Sequence, residues 1–245
     1  MSLTPRNLWP IYAVSRPIAW PNKPAPTSWL CSRKLCCERG RVKVILLGSG
    51  TSTGVPRVGG EDGAGDWTHD HADHCHGIDD LRVLRYGRGG PIPGFAHTET
   101  VRRLRQRFGY VFAGQDGYPT IVTLDSLDRL KMVAGFGVEW CQMPHGPGET
   151  TGYRFEADGG SIAYTTDFSA ITGDMVELCE GVDVLVSDCL RREPHPTHAN
   201  LDLALELAER SGAKRLVLSH LDKSMDYRTL CDEVPDHVLV GYDGL

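Results

Sequence analysis

The sequence predicts an α/β fold in which several short strands are interspersed with fewer helices. Short apolar segments, each followed by glycine or polar residues, are typical of buried strands. Longer segments with apolar residues at three- and four-residue steps are typical of helices that bury one face. A length of 245 residues is ample for one large domain or two small domains built from such elements.

Six segments carry the strand pattern: 42–47, 121–124, 138–141, 161–165, 182–186 and 215–218. The helix pattern occurs at 99–112 and at 201–208. Asn200 is a suitable N-cap for the second helix, because its side chain can accept a hydrogen bond from the first turn. Four arginines lie on the first helix: Arg102, Arg103, Arg105 and Arg107. They indicate a solvated face or, alternatively, a contact with substrate phosphate.

Composition argues against several classes of protein. The formal charge is −6, and no segment approaches the ~20 apolar residues that a membrane-spanning helix needs. Residues 1–43 carry a charge of +7 and the remainder a charge of −13. Because binding along a nucleic-acid backbone relies on basic side chains, a nucleic-acid partner is disfavoured. Eight cysteines, mostly scattered, indicate a reduced, cytoplasmic protein rather than a disulfide scaffold.

The chain divides into two regions of different character. The first 26 residues hold six prolines, and residues 1–41 show no periodic apolar pattern. Proline blocks helices and removes backbone donors, so an irregular N-terminal arm is expected there. This arm also has no apolar core of a secretory signal. Residues 42–245 are expected to form one folded domain.

The most informative segment is 68–74, which reads Thr-His-Asp-His-Ala-Asp-His. Its polar members fall within six residues: His69, Asp70, His71, Asp73 and His74. Such groups are costly to bury unless they are paired or coordinated. Imidazole nitrogens and carboxylate oxygens together suit Zn²⁺, Mn²⁺ or Fe²⁺. A metal site therefore explains the segment better than a solvated polar loop does.

Further ligands are expected at strand ends elsewhere, because one short segment fills only part of two coordination spheres. Three polar residues follow predicted strands: His145, Asp167 and His220. Each alone could be a capping or hydrogen-bonded residue, but a polar residue at the exit of a buried strand is well placed to line a site. Asp188 follows another strand and indicates either a partner that orients a ligand histidine or a cap of the next turn.

The order of these residues resembles the motif set of the metallo-β-lactamase superfamily. The matching residues are His69-x-His71-x-Asp73-His74, followed by His145, Asp167 and His220. Motifs at 48–56 (Gly-Ser-Gly-Thr-Ser-Thr-Gly-Val-Pro), at 77–82 and at 195–200 narrow the resemblance to the PhnP-like phosphodiesterase branch. The resemblance extends from about residue 42 to the end of the chain.

The resemblance implies an αββα four-layer sandwich for residues 42–245, with two divalent ions, Zn²⁺ or Mn²⁺, at the sheet edge. By position, the ligands of one ion are His69, His71 and His145. Those of the second ion are Asp73, His74 and His220, and Asp167 bridges both. His198 would contact the phosphate and protonate the leaving oxygen, with His195 as the alternative. Asp73 is expected to belong to the catalytic residues together with His198.

The function implied is hydrolysis of a small phosphodiester, cyclic ones included. Two cations that share one water lower the pKa of that water far below ~15.7. The same cations neutralise the phosphodiester oxygens, whose charge otherwise repels a nucleophile. An imidazole that donates a proton to the departing alkoxide contributes ~10²–10⁴ in rate.

The sequence departs from the family between Gly54 and His69. Only fourteen residues, rich in glycine, separate these two positions, where the family carries two strands and a helix. Either this segment is absent only from the sequence as given, which is the favoured interpretation, or it is truly deleted, which would remove strands beneath the site and leave sheet edges unpaired.

Other functions remain open to the same residues. The same fold and metals could act on a thioester, a lactone or a β-lactam, and a non-catalytic metal-binding relative would share the ligands as well. Transfer-RNA 3′ processing is disfavoured, because the sequence shows no insert for a protruding arm. The expected partner is a small phosphodiester, without membrane or nucleic acid, and the sequence is compatible with a homodimer.

Overall fold

Two β-sheets with helices on their outer faces make up the part of the chain that the structure describes. In this computed structural model that part comprises residues 57–58, 65–133, 135–157, 159–242 and 245. The predicted arm at 1–41, the predicted strand at 42–47 and the glycine-containing motif that begins at 48 lie outside the described residues.

The first sheet has four strands among the described residues, in the order β1-β2-β3-β4. They are β1 (Arg57–Val58), β2 (Gly65–Trp67), β3 (Ile92–Ala96) and β4 (Val122–Ser126). β1 is antiparallel to β2, and β2, β3 and β4 are parallel to one another. The short segment between Gly54 and His69 therefore contains paired strands, and β2 is not the open edge that a shortened segment was expected to leave.

Five short helices accompany this sheet. They are α1 (Ala72–Cys75), a 3-10 helix (His76–Asp80), α2 (Leu81–Arg88), α3 (Thr98–Arg107) and α4 (Gly109–Ala113). The single helix predicted at 99–112 was wrong, because the chain leaves helical geometry at Phe108 (φ −125°, ψ 36°). Val111 on α4 and Leu104 on α3 are nevertheless both fully buried in one core.

The second sheet has seven strands, in the order β11-β10-β9-β8-β7-β6-β5. They are β5 (Met132–Val133), β6 (Phe136–His145), β7 (Gly148–Ala157), β8 (Gly160–Thr165), β9 (Val184–Asp188), β10 (Leu216–Ser219) and β11 (Val238–Val240). The strand predicted at 138–141 is ten residues long, so His145 is its last residue rather than a loop residue after it.

Three helices cover the outer face of the second sheet: α5 (Gly173–Leu178), α6 (Leu201–Ser211) and α7 (Tyr227–Glu233). The predicted N-cap of α6 is confirmed, since Asn200 Oδ1 accepts a hydrogen bond from the Leu203 amide at 3.1 Å. This cap fixes the point at which the loop after β9 becomes helix.

Separate apolar clusters define the layers. One joins α2, α3 and α4 to the first sheet, and another joins α5, α6 and α7 to the second. Between the sheets, Phe95 of β3 packs with Tyr153 of β7 and Trp140 of β6. The order helices, sheet, sheet, helices confirms the predicted αββα sandwich. Among the described residues, every helix is too short or too polar to cross a membrane.

Strand direction decides where polar side chains collect. β6 and β8 are both antiparallel to β7, and β8, β9 and β10 are mutually parallel. These four strands therefore run in the same direction, and their carboxyl ends meet at one edge of the second sheet. Residues that follow or end these strands are brought together there even though they are distant in sequence.

Candidate metal centre

The histidine-rich segment leaves β2 and is tied at once to the second sheet. The Tyr153 hydroxyl donates a hydrogen bond to the carbonyl of Trp67 at 3.0 Å, and the Thr151 amide donates one to the carbonyl of Thr68 at 3.0 Å. Both donors lie on β7. These bonds hold the start of the segment in place, so that His69 is buried beside the ends of β6 and β8.

Asp167 and His220 occupy a strained backbone conformation immediately beyond their strands. Their φ angles are +59° and +62°, in the left-handed region that L-residues rarely adopt. Such residues cost of order 1–3 kcal/mol each and persist only where neighbours fix them. The Thr150 hydroxyl donates to the Asp167 carbonyl at 2.9 Å, and the Thr166 hydroxyl donates to Asp167 Oδ1 at 2.7 Å. The fold therefore holds the Asp167 carboxylate in a fixed direction.

Three groups of side chains that could hold a metal ion converge at this edge, and Asp167 belongs to each of them; the third group, which is Asp167, Asp188, His198 and His220, overlaps the second. The first group is His69, His71, His145 and Asp167, and the second is Asp73, His74, Asp167 and His220. Within each group one ligand-type atom of every residue lies within 4.8 Å of the others. All seven residues that the sequence analysis assigned as ligands are therefore brought together, in the two sets that it predicted.

The Asp167 carboxylate is the centre of the cluster. Its Oδ2 lies 3.2 Å from His74 Nε2, 3.5 Å from His69 Nε2 and 3.9 Å from His145 Nε2. Its Oδ1 lies 3.5 Å from Nε2 of His220. Both oxygens of this one buried residue thus face imidazole nitrogens, and the two groups meet on a single carboxylate.

The chemistry of the donor atoms fits divalent metal ions. The buried Nε2 atoms of His69 and His74 have no hydrogen bond of good geometry within the described residues, although Asp167 is in ion-pair range. A neutral imidazole nitrogen with a free lone pair is a normal metal ligand. Three imidazoles with one carboxylate, and two imidazoles with two carboxylates, both suit Zn²⁺ or Mn²⁺. The His/Asp groups could therefore hold metal ions.

The opposite ring nitrogens of these histidines have partners that fix the rings. His145 Nδ1 donates a hydrogen bond to the carbonyl of Thr197 at 2.6 Å, which leaves Nε2 unprotonated and facing the cluster. The Thr68 hydroxyl lies 3.1 Å from Nδ1 of His69 and 3.4 Å from Nδ1 of His74. Such outer contacts set the tautomer and orientation of a ligand histidine.

The two groups differ in their protonation. Burial, and then the nearby positive charge of His74, lower the pKa of His69 to about 2. Burial also lowers the pKa of His145. Burial opposes a charge on His74 and His220 as well, but neighbouring carboxylates outweigh it and raise the pKa of His74 to about 9 and that of His220 to about 10. His69 and His145 of the first group are therefore neutral at pH 7, whereas His74 and His220 are protonated.

Asp188 supports both the cluster and His198. Its carboxylate is fully buried, with Oδ1 3.4 Å from His220 Nδ1 and Oδ2 3.1 Å from His198 Nδ1. Asp188 Oδ2 also accepts a hydrogen bond from the Ala199 amide at 3.1 Å. Of the two alternatives from the sequence, Asp188 is thus a partner that orients histidines, and it also fixes the start of the following turn.

His198 lies beside the cluster and His195 lies one ring farther out. The ring of His198 is 4.9 Å from that of His145 and 4.9 Å from that of His220, between centroids. His195 contacts His198 at 5.1 Å, and its Nδ1 bonds to Thr197 within its own loop. The geometry favours His198 over His195 as the residue next to a substrate at the cluster.

Thr68 and Thr197 are contacts to which the sequence analysis assigned no role. Thr68 directly precedes His69, so its position gave a signal, whereas the Thr197 contact uses a carbonyl that no side-chain pattern reveals. Thr197 also packs against Gly146, where a Cβ would come within 2.6 Å of the Thr197 methyl group. Glycine at 146, with φ +58°, is therefore required for the loop to approach His145.

Comparison with known proteins agrees with this geometry. A family model described as a beta-lactamase superfamily domain matches residues 67–221. A crystal structure described as a new diphosphatase from the PhnP family is 34% identical, over 74% of this chain and 68% of that chain, with a TM-score of 0.64. The metallo-beta-lactamase fold protein YhfI from Bacillus subtilis is 16% identical over 82% of this chain and 96% of that chain, with a TM-score of 0.67, which is a likeness of fold alone.

A curated relative is similar over most of this chain but is much longer. An octanoyltransferase from Porphyromonas gingivalis (strain ATCC BAA-308 / W83) is 28% identical over an alignment that covers 83% of this chain and 51% of that protein. The chain thus spans about half the length of that relative.

Proposed function

Because the chain belongs to the beta-lactamase superfamily, we propose that it is a metal-dependent hydrolase that cleaves a small phosphodiester, cyclic phosphodiesters included. The observation that carries the proposal is the pair of His/Asp groups that share Asp167, with His198 beside them. The 34% identity to a diphosphatase of the PhnP family supports phosphate as the reacting group.

Seven residues would hold two divalent ions, Zn²⁺ or Mn²⁺, in this proposal. His69, His71 and His145 would hold one ion, and Asp73, His74 and His220 the other, with Asp167 contacting both. When bound, the ions would supply Lewis acidity toward the phosphate oxygens and a water of lowered pKa. Because His74 and His220 carry raised pKa values, each must release its proton before it can act as a ligand.

His198 is proposed as the residue that contacts the phosphate and protonates the leaving oxygen. Its Nδ1 donates a hydrogen bond to the Asp188 carboxylate at 3.1 Å, which fixes the orientation of the ring. Nε2 can then carry the second proton of an imidazolium and pass it to the departing alkoxide as the P–O bond breaks. Asp73 contributes by its carboxylate, which lies 3.3 Å from His220 Nε2 and 3.4 Å from His74 Nε2.

A substrate panel tests the reaction. The chain loaded with Zn²⁺ or Mn²⁺ is assayed on bis(p-nitrophenyl) phosphate and cyclic nucleotides, and in parallel on nitrocefin, S-lactoylglutathione and a short RNA. We expect hydrolysis of bis(p-nitrophenyl) phosphate and the cyclic nucleotides only, with loss of activity in EDTA and recovery on adding metal. Turnover of the β-lactam or thioester instead would reject the substrate class. Two bound metal equivalents without hydrolysis of any ester would indicate a non-catalytic relative.

Replacement of His198 tests its role separately. His198→Ala is expected to lower kcat by ~10²–10⁴, the usual contribution of a general acid, while both metal equivalents remain bound. His195→Ala, from the same loop, is the matched control and is expected to change kcat much less. An unchanged kcat in His198→Ala with full metal content, or a larger loss in His195→Ala, contradicts the assignment.

A further inference from the structure

The arginines of α3 do not form the uniform solvated face that the sequence suggested as one alternative. Arg102 pairs with Glu99 on the same helix, and Arg105 donates a hydrogen bond to the carbonyl of Leu124 at 2.6 Å. Arg103 shares Glu99 with Arg102, but Arg103 and Arg107 also reach across to the histidine-rich segment. Two of the four side chains therefore contact the loop that carries His69 and His71.

The target of these two arginines is Asp70, which lies between His69 and His71 in the chain. Arg103 Nη1 lies 3.3 Å from Asp70 Oδ1, and Arg107 Nη1 lies 3.3 Å from Asp70 Oδ2. Arg107 Nη1 also donates a hydrogen bond to the backbone carbonyl of Asp70. We call Arg103, Arg107 and Asp70 the arginine clamp. It holds both the side chain and the main chain of the residue between two ligand histidines.

Arg107 makes a further contact, with a residue just beyond the histidine-rich segment. Its Nη2 lies 3.0 Å from His76 Nε2, just beyond α1. The guanidinium group of Arg107 therefore contacts both Asp70 and His76. A planar fork of donors can make these contacts at once, whereas the single ammonium of lysine cannot reproduce them.

The arginine clamp contributes little to the stability of the fold, so its main effect is on the placement of the ligand histidines. Arg103 and Arg107 are 51% and 37% exposed, and exposed ion pairs contribute little to the free energy of unfolding. Ligand geometry responds more strongly, because loss of an outer contact typically costs ~10–100-fold in metal affinity. α3 is anchored through the fully buried Leu104, so it is a firm support for the loop.

We propose that Arg107, assisted by Arg103, is a positioning residue that fixes Asp70 and thereby the relative placement of His69 and His71. The inference rests on the proposed metal binding by the first group of residues. The carboxylate that the clamp holds lies between two histidines of the first group in the chain, so the ion at that group is expected to depend on the clamp most. The arginines act through the loop and not on the substrate.

Metal affinity, rather than activity, is the measurement that tests the clamp. The full chain is freed of metal and titrated with Zn²⁺ against a chelating indicator, and with Co²⁺, whose visible absorption reports the ligand geometry. Arg107→Met is compared with Arg102→Met, which removes an arginine from the same helix without touching the loop. We expect Arg107→Met to weaken one of two equivalents by ~10–100-fold and to alter its Co²⁺ spectrum. Arg102→Met is expected to match the unaltered chain.

Two more variants keep the test decisive. Arg107→Lys is expected to bind metal as weakly as Arg107→Met does. A lysine supplies the positive charge, but its single ammonium group cannot contact Asp70 and His76 at the same time. Asp70→Asn removes the carboxylate charge but keeps the bond from Arg107 to the main-chain carbonyl, so it is expected to give a smaller loss in the same direction, with little added loss in the double variant. Thermal melting checks that each variant is folded.

Several outcomes would overturn the proposal, and they differ from failure of the proposed function. If Arg107→Met and Asp70→Asn both bind two equivalents as tightly as Arg102→Met, the clamp has no positioning role. A rise in KM with unchanged metal affinity would assign the arginines to substrate binding instead. If the unaltered chain binds two ions but hydrolyses no phosphodiester, the proposed function fails. The comparison of metal affinities then still tests the positioning role of the arginine clamp. If it binds no metal, both fail.

Discussion

The two ligand groups of this protein are built from similar residues but are prepared for metal in different ways. In the first group the buried histidines have lowered pKa values and are neutral, and the His145 ring is fixed by a carbonyl. In the second group His74 and His220 face carboxylates and have raised pKa values. The first group is therefore ready to accept a cation, whereas the second is stabilised by internal ion pairs that a cation must replace.

The difference shows that the groups in contact with the ligand histidines decide the protonation of those histidines in the absence of metal. The carboxylates of Asp73 and Asp188 face His220 from two sides, and they favour a proton on that ring. No such pair of carboxylates flanks His69, so burial dominates there. Identical side chains thus differ in pKa by several units because of the groups placed around them.

Removal of the shared residue should have the largest effect. Asp167→Asn keeps the size of the side chain but removes the charge that faces both groups, so we expect neither ion to remain at full occupancy. Because metal Lewis acidity is worth several kcal/mol, kcat/KM should fall by roughly 10³ or more. Metal analysis and kinetics measure this. Asp183→Asn, an exposed aspartate paired with Lys214, is the control, and retention of two equivalents in Asp167→Asn would contradict a shared ligand.

Replacement of one ligand in each group should separate the two ions. His145→Gln is expected to lose the ion of the first group and His220→Gln that of the second, each by more than the ~10–100-fold that an outer contact costs. Titration with Zn²⁺ against a chelating indicator measures the equivalents that remain. If either variant lost both ions or neither, the division into two groups would be wrong.

Replacement of the outer partners should give a smaller and unequal effect. Asp188→Asn is expected to weaken the equivalent held by His220 by ~10–100-fold and to leave the other unchanged. Thr68→Val should weaken both equivalents slightly, because its hydroxyl lies near one histidine of each group. Equal losses in both equivalents of Asp188→Asn would show that the groups are not supported independently.

The pH dependence of stability in the metal-free protein should be the smallest effect. His74 and His220 bind protons more tightly in the folded state than at their usual pKa of 6.5. Their contribution is complete below pH 6.5 and is lost as the pH rises through about 9 to 10. His69 has the opposite sign, since its lowered pKa makes the folded state less stable as the pH falls below 6.5.

Urea unfolding in EDTA between pH 5 and pH 10 measures this dependence. Stability should be greatest near neutral pH, with slopes of at most about 1.4 kcal/mol per pH unit for each histidine. His74→Gln should flatten the alkaline side, and His69→Gln should flatten the acid side. A stability that is constant over this range would contradict the described protonation of the cluster.

The sequence predicted the ligand residues more reliably than it predicted the helices and strands. The spacing of His69, His71, Asp73 and His74 needs no tertiary information, because residues this close in sequence remain close in space. The helix predicted at 99–112 was less accurate, since a periodic apolar pattern does not reveal a change of direction at Phe108. The strand predicted at 138–141 was too short, because pairing with β7 extends it to His145.

Residues whose role depends on a partner could not be assigned in advance. Asp188 was open between two roles, and only the parallel placement of β9 beside β10 brings it to His220. Arg107 was one of four similar arginines, and its contact with Asp70 depends on where α3 packs against the loop. Such contacts join positions tens of residues apart, and no local pattern encodes them.

By itself the sequence determined the chemical identity of the donor atoms, the order of the motifs and the alternation of strands and helices. These follow from residue types and short-range spacing, which the chain carries in any conformation. Only the tertiary structure decided which rings are protonated and which threonines, carboxylates and arginines hold them. Those properties depend on burial and on distances of a few ångströms, which arise when the carboxyl ends of β6, β8, β9 and β10 come together at one sheet edge.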